Sequence, residues 1–257
     1  MYNYTYDLET GGILLNTSPM QFSKEPRPVY YQELDLLGFD EYWIYEKQDG
    51  LPYMWAEANK YYYFGRLVAQ TKGGDLYTAP EIIIKEDINV PLVPIDLDAM
   101  IEKNSDFLQI LEQDTVKKIY DVWKRYKNKL DIFHVAFSGG KDSIVLLDLV
   151  KKALPNDEFV VVFGDTQMEF PDTYDVVDKV EAQCKNDGVR FYRAKSHMDV
   201  YESWKVFAPP SRVLRWCCSV HKSTPQVLKL REVLRKSDYR GLAFVGVRAA
   251  ESVRRSH

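Results

Sequence analysis

The chain has 257 residues and a mass of 30.0 kDa, with 46% apolar and 28% charged residues. These are the proportions of a globular chain, and they exclude a disordered tail, a collagen-like rod and a low-complexity linker. The formal net charge of −4 hides opposite ends: residues 1–95 carry 7 basic and 14 acidic side chains, whereas residues 190–257 carry 15 and 5. An acidic front joined to a strongly basic final stretch predicts two units with different partners, the second facing a nucleotide or nucleic acid.

Three cysteines are too few for a disulfide framework and read as reduced thiols or ligands. The longest apolar stretch, around residues 159–163, falls far short of the ~20 residues a membrane span needs. The opening Met1-Tyr-Asn-Tyr-Thr-Tyr-Asp7 lacks the basic start and apolar core of a leader. The expectation is a soluble cytoplasmic protein with no membrane partner.

Twelve of the 18 tyrosines precede residue 80, among dense turn signals such as Gly11-Gly12, Asp49-Gly50 and Gly73-Gly74. Residues 40–47, 60–70 and 81–84 read as strands, with Asp49-Gly50 as a loose hairpin signal. Residues 1–95 thus read as a small, mostly β, tyrosine-rich module closing near Pro91 and Pro94. Its tyrosines suit a small-domain core better than a base-stacking surface.

Residues 96–130 read as a helical linker. Ser105 is the expected N-cap of a run in which Leu108, Leu111, Val116, Ile119, Val122 and Trp123 recur at helical spacing. From residue 131 strands and helices alternate: strands at 132–137, 159–163, 190–194 and 242–247, helices at 142–153, 172–185 and 224–235. Apolar strands separated by amphipathic helices predict an α/β domain over 131–257, a parallel twisted sheet with helices on both faces. Ligands of such sheets bind beyond the carboxyl ends of the strands.

Four motifs fall at those ends. Ser138-Gly139-Gly140-Lys141-Asp142-Ser143 follows one strand and opens a helix. Its glycines let successive N–H groups converge on an anion, the helix N-terminus adds partial positive charge, and Lys141 adds a formal one. The spacing is not that of a Walker A loop. Asp165 and Thr166 stand at the next strand tip, before Pro171 at a helix start. Arg215-Trp216-Cys217-Cys218 leads to His221, Lys222 and Pro225; adjacent thiols do not readily bridge each other and suggest either metal ligation or coincidence. After the last strand come Gly246, Arg248, Glu251, Ser252, Arg254 and Arg255, whose guanidinium forks suit phosphate or sulfate, with Glu251 orienting one of them.

The hexapeptide is the PP-loop signature. Together the four motifs, in order across residues 131–257, resemble the phosphoadenylylsulfate (PAPS) reductase-like family of PP-loop enzymes. That resemblance implies a Rossmann-like, HUP-type fold and an adenine nucleotide (ATP, adenylylsulfate (APS) or PAPS) as ligand. It implies nucleotide contacts from Ser138, Gly139, Gly140, Lys141, Asp142, Ser143, Asp165, Thr166, Arg248, Glu251, Arg254 and Arg255, with Lys141, Asp142 and Asp165 in catalytic roles. Departures are Gln167 where the family has glycine and Asp172 where it has glutamate.

In iron–sulfur members of the family the Cys-Cys pair, here Cys217 and Cys218, binds a [4Fe–4S] cluster with a later Cys-x-x-Cys pair, and a nucleophilic cysteine stands in a Glu-Cys-Gly-Leu-His tail. Neither later element occurs in these 257 residues, so a cluster needs ligands from outside the chain, and a truncated chain or one half of a larger enzyme is expected. The resemblance implies a PAPS/APS reductase-like activity in sulfur metabolism. The alternative is an ATP pyrophosphatase, using Mg²⁺, that adenylates an acceptor for sulfur insertion into DNA or tRNA. Partners would then be a nucleotide with a reductant or sulfur-donor protein, or nucleic acid. A third reading is a non-catalytic nucleotide-binding subunit.

Overall fold

The computed structural model describes residues 3–16, 25–75, 77–211 and 214–247. The chain divides into two compact units, Met1–Leu111 and Glu112–His257. No helix among the described residues is long and apolar enough to cross a membrane.

The first unit opens with an antiparallel pair, β1 (Asn3–Tyr6) and β2 (Ile13–Asn16). Next come β3 (Arg27–Tyr30), the short helix α1 (Tyr31–Leu37), β4 (Pro52–Glu57), β5 (Lys60–Tyr63), β6 (Arg66–Lys72) and β7 (Glu81–Ile84). β3 to β7 form one antiparallel five-stranded meander in sequence order. Its core is aromatic: Phe39, Trp43, Tyr53 and Tyr61 are buried with Val29, Leu34 and Met54. Tyr4 and Tyr6 both donate to Glu57 Oε1, the latter at 2.7 Å, and burial followed by these bonds raises both phenol pKa values well above the ordinary tyrosine range. Several tyrosines therefore do serve the core, although Tyr77 is almost fully exposed.

Two of the strands expected in this unit are corrected. Residues 40–47 are not a strand: a 3₁₀ turn at Phe39–Glu41 turns Phe39 and Trp43 inward to stack 5.3 Å apart, and only Tyr45 forms an isolated bridge, to Leu92. Residues 60–70 are not one strand but two, broken where Phe64 and Gly65 both take left-handed backbone (φ 46° and 78°). The Asp49-Gly50 turn leads into β4, and the hairpin joining β4 to β5 turns instead at Ala58 and Asn59.

After β7 come α2 (Leu97–Lys103), capped by the Asp96 carboxylate, and α3 (Ser105–Tyr126), so Ser105 is the first helical residue rather than the cap. Between them Asn104, 5% exposed, accepts from Leu15 N–H at 2.7 Å and donates to the carbonyls of Ile13 and Met100 at 2.8 and 2.7 Å. One side chain thus satisfies three backbone groups and ties β2 to the α2–α3 corner.

The second unit alternates β8 (Ile132–Phe137), α4 (Lys141–Ala153), β9 (Val160–Asp165), α5 (Pro171–Asn186), β10 (Arg190–Lys195), α6 (Val200–Phe207), a π-helical turn (Cys218–Ser223), α7 (Thr224–Leu234) and β11 (Gly241–Phe244). The sheet is wholly parallel, in the order β10-β9-β8-β11. Val160, Val161, Val162 and Phe163 of β9 are each no more than 1% exposed. Val161 and Phe163 face the core formed with Ile119, Trp123, Leu147, Val150, Val177 and Cys184, while Val160 and Val162 face Leu230 of α7. Helices therefore cover both faces, as the continuous apolar run predicts.

Asn104→Ala should lower the stability of the first unit by about 1–3 kcal/mol, because it strands the Leu15 N–H and the Ile13 carbonyl, while the Met100 carbonyl keeps the backbone N–H of residue 104. Chemical denaturation followed by tryptophan fluorescence checks this.

Candidate nucleotide site

The strand order places a topological switch between β8 and β11: β9 and β10 build outward on one side of β8, and the chain then crosses back to add β11 on the other. Crevices open at the carboxyl ends of strands at such a point. The loop between β8 and α4 occupies this one. Gly139 has φ 78°, and a Cβ there would stand 2.9 Å from Thr173 Cγ2 of α5. Gly140 is the N-cap of α4 and contributes no side chain to cap it, so the helix's first N–H groups depend on solvent or ligand for acceptors.

Ser143, 4% exposed, fixes the loop from inside. Its hydroxyl donates to the Gly140 carbonyl at 2.8 Å and accepts from Ser138 N–H and Ser138 Oγ, each at 3.3 Å. Lys141 behaves differently: its side chain is largely exposed, with Nζ 3.9 Å from Asp142 Oδ1. The loop is thus a rigid cradle with a movable cation at its rim, an arrangement suited to oxyanions. From the far side, Gly246 packs so tightly on this turn that a Cβ would lie 2.7 Å from the Asp142 carbonyl oxygen. The first residue of the fourth motif is therefore brought against the first motif. Arg248, Glu251, Arg254 and Arg255 lie outside the described residues.

Asp165 is brought to the same edge. Phe163 pairs with Phe137, which sets Asp165 level with Gly139. Its Oδ1 accepts from Gln167 N–H at 2.9 Å and Tyr174 O–H at 2.8 Å. Burial, then the bond to Asp165, pushes the Tyr174 phenol up to about 12, which keeps it a donor at neutral pH. Thr166 is used locally: its hydroxyl donates to Glu169 Oε1 at 2.9 Å and accepts from Met168 N–H at 3.3 Å. Gln167 tolerates the glycine-like turn, with φ 63°.

Cys217 and Cys218 precede and begin the π-helical turn, which packs against β9 and β10. Both thiols are half-buried, and the third cysteine, Cys184, is 1% exposed in the core on α5. Among the described residues no three His, Cys, Asp or Glu side chains group closely enough to hold a metal ion. Two adjacent thiols alone do not fit a four-cysteine cluster. On the same turn His221 is fully buried. Ser203 O–H donates to the Asp199 carbonyl at 2.9 Å, so His221 Nε2, 2.8 Å from Ser203 Oγ, carries the proton and donates to it. Nδ1 is left a buried acceptor without a partner among the described residues.

The Cys217-Cys218 motif also lines a cavity at this edge. A cavity of about 610 Å³ opens at the carboxyl end of β10, lined by Lys195, His197 and Met198 on one side and by Ser219, Val220 and Leu228 on the other. β10 is two strands from β8, about 10 Å at ordinary strand spacing.

Gly139→Ala should destabilise the second unit by about 1–3 kcal/mol, since it combines left-handed strain with a clash on α5. A thermal melt that matches the parent would show that the loop does not require glycine.

Residues 132–257 match the profile of the phosphoadenosine phosphosulfate reductase domain. An uncharacterised protein of Methanocaldococcus jannaschii is 35% identical over 159 residues, covering 62% of this chain and 31% of that protein. The adenosine 5′-phosphosulfate reductase of Staphylococcus epidermidis is 28% identical over 163 residues, covering 60% of this chain and 61% of that enzyme. Among solved structures, a PAPS reductase from Candida auris in complex with phosphate aligns with a TM-score of 0.34 at 19% identity, over 50% of this chain and 60% of that one. The chain spans about a third of the archaeal relative and about three fifths of the bacterial reductase. Over residues 132–257, the chain belongs to the PAPS reductase-like family.

Proposed function

We propose that this chain binds an adenine nucleotide across the carboxyl edge of its parallel sheet and acts as a sulfonucleotide reductase-like enzyme. The observation that carries this reading is the cradle at residues 138–143, with its left-handed Gly139, uncapped helix start and exposed Lys141 at a topological switch point. The N–H groups at the start of α4 and the Lys141 ammonium hold the phosphate and sulfate oxygens and stabilise charge that develops there. The Asp165 carboxylate, fixed by Tyr174 and Gln167, orients a sugar hydroxyl. The cavity at the end of β10 has the volume for a nucleoside and opens at the same sheet edge as the cradle, two strands away. Arg248, Arg254 and Arg255 add guanidinium contacts to the anion. In the reductive reaction a thiolate from a reductant protein attacks sulfur, the sulfur–oxygen bond to phosphate breaks, and the adenylate leaves.

A second reading, ATP pyrophosphatase chemistry, draws on the two carboxylates, Asp142 and Asp165, that flank the cradle. Mg²⁺ takes one or two carboxylates together with phosphate oxygens, so these residues fit the ion, which would neutralise charge on the leaving pyrophosphate. Lys141 and the loop N–H groups then hold the β,γ-phosphates while an acceptor oxygen attacks the α-phosphorus.

Product analysis separates the readings. Incubation with APS or PAPS and a dithiol reductant should release sulfite; AMP and pyrophosphate formed from ATP and Mg²⁺ would instead support the second. Binding without turnover of any of the three would leave a nucleotide-binding subunit. Lys141→Ala should weaken nucleotide binding by about 1–3 kcal/mol through the lost charged hydrogen bond, as read by calorimetric titration.

A further inference from the structure

Helix α6 carries a row of aromatic side chains that the core of its unit leaves largely unused. The Asp199 carboxylate caps the helix, and Val200 and Ser203 turn inward. Tyr201, Trp204 and Phe207, spaced by three, are 72%, 39% and 39% exposed. Their geometry is fixed: the Tyr201 and Trp204 rings meet edge-on at 6.3 Å, and Phe207 lies 5.2 Å from Trp216. The Trp216 indole N–H in turn donates to the Ala208 carbonyl at 3.1 Å. Three residues of helix advance about 4.5 Å, so the rings stand at steps that suit successive unstacked bases.

The charges around this row are of one main sign. Lys205 lies between Trp204 and Val206, Arg215 precedes Trp216, and Lys222 follows His221, whose ring bonds Ser203 of the same helix. All three cations are exposed, and none forms an ion pair among the described residues. Glu202 is the one exposed carboxylate on α6, since Asp199 is engaged as the cap. Exposed rings interleaved with unpaired cations match a polymer that offers both π-faces and a phosphate at each step. Duplex bases are already stacked and cannot reach the rings.

We propose that the α6 face binds single-stranded nucleic acid, with bases on Tyr201, Trp204 and the Phe207–Trp216 pair and phosphates on Lys205, Arg215 and Lys222. None of these side chains belongs to the cradle or lines the cavity at the end of β10, so the proposal does not rest on nucleotide binding there.

Fluorescence anisotropy of the full chain with a labelled oligothymidylate of about twelve nucleotides tests the proposal. Binding should weaken about 20-fold between about 50 and about 200 mM salt, the dependence set by three phosphate contacts on a single strand. Tyr201→Ala and Trp204→Ala should each weaken it about tenfold, and Lys205→Gln should flatten the salt dependence. No binding at low salt, equal affinity for a duplex of the same length, or binding indifferent to both aromatic substitutions would overturn it. The last outcome would point to a protein partner for the rings. If Trp204→Ala loses stability in a thermal melt, Lys205→Glu carries the test, with the same weakening expected. A parallel titration with ATP and APS reports on the cradle alone, so failure of one site is distinguishable from failure of the other.

Discussion

Burial of β9 on both faces is the constraint on which the second unit depends. Four consecutive side chains, Val160 to Phe163, are withdrawn from water, and each contributes about 1.5–3 kcal/mol of transfer free energy. A strand buried on both sides needs neighbours on both edges and helices above and below. Because α4 and α5 return the chain to the same end each time, every strand runs the same way. The loops after β8, β9, β10 and β11 are thereby gathered at one edge. The cradle, the Asp165 turn, the cavity beside β10 and the approach of Gly246 to Asp142 all follow from that gathering.

The local chemistry at this edge divides into fixed and movable groups. Ser143, Asp165 and Tyr174 are held by short hydrogen bonds within their own turns. Lys141 remains extended into solvent. A fixed array of donors loses little reorganisation energy when an anion arrives, whereas a mobile cation can follow charge as it moves during reaction.

Legibility in the sequence varied with the physics of each element. β8 and the loop that follows were plain because apolar residues, two glycines and a lysine each carry a distinct local signal. The ends of β9 and β11 shifted by one to three residues, which is how far pattern alone resolves a boundary. β4 begins at Pro52, the residue that loosens the Asp49-Gly50 hairpin signal, although proline is tolerated at the start of a strand. The break between β5 and β6 rests on Phe64 and Gly65 in left-handed backbone; the glycine is a turn cue, whereas nothing in the phenylalanine announces its conformation. Helix α6 reads as readily as a strand, being rich in valine and aromatics. Asp199 followed three residues later by Glu202 was the available cue, a cap with an acid at the third helical position. The cavity beside β10 was half cued: Ser219, Val220 and Pro225 stand in the Cys217-Cys218 motif, but nothing local says that this turn meets the end of β10.

Cys184 gives the second unit an internal gauge. Its thiol sits in the same apolar cluster as Val161 and Phe163, and burial, its largest influence, raises its pKa. Burial therefore disfavours the thiolate and shields it from alkylation until α5 lifts from the sheet. Cys217 and Cys218 are half-buried and need no such opening. The rate at which the third thiol becomes reactive thus measures how often the sheet that supports the cradle opens, without any substitution in the chain.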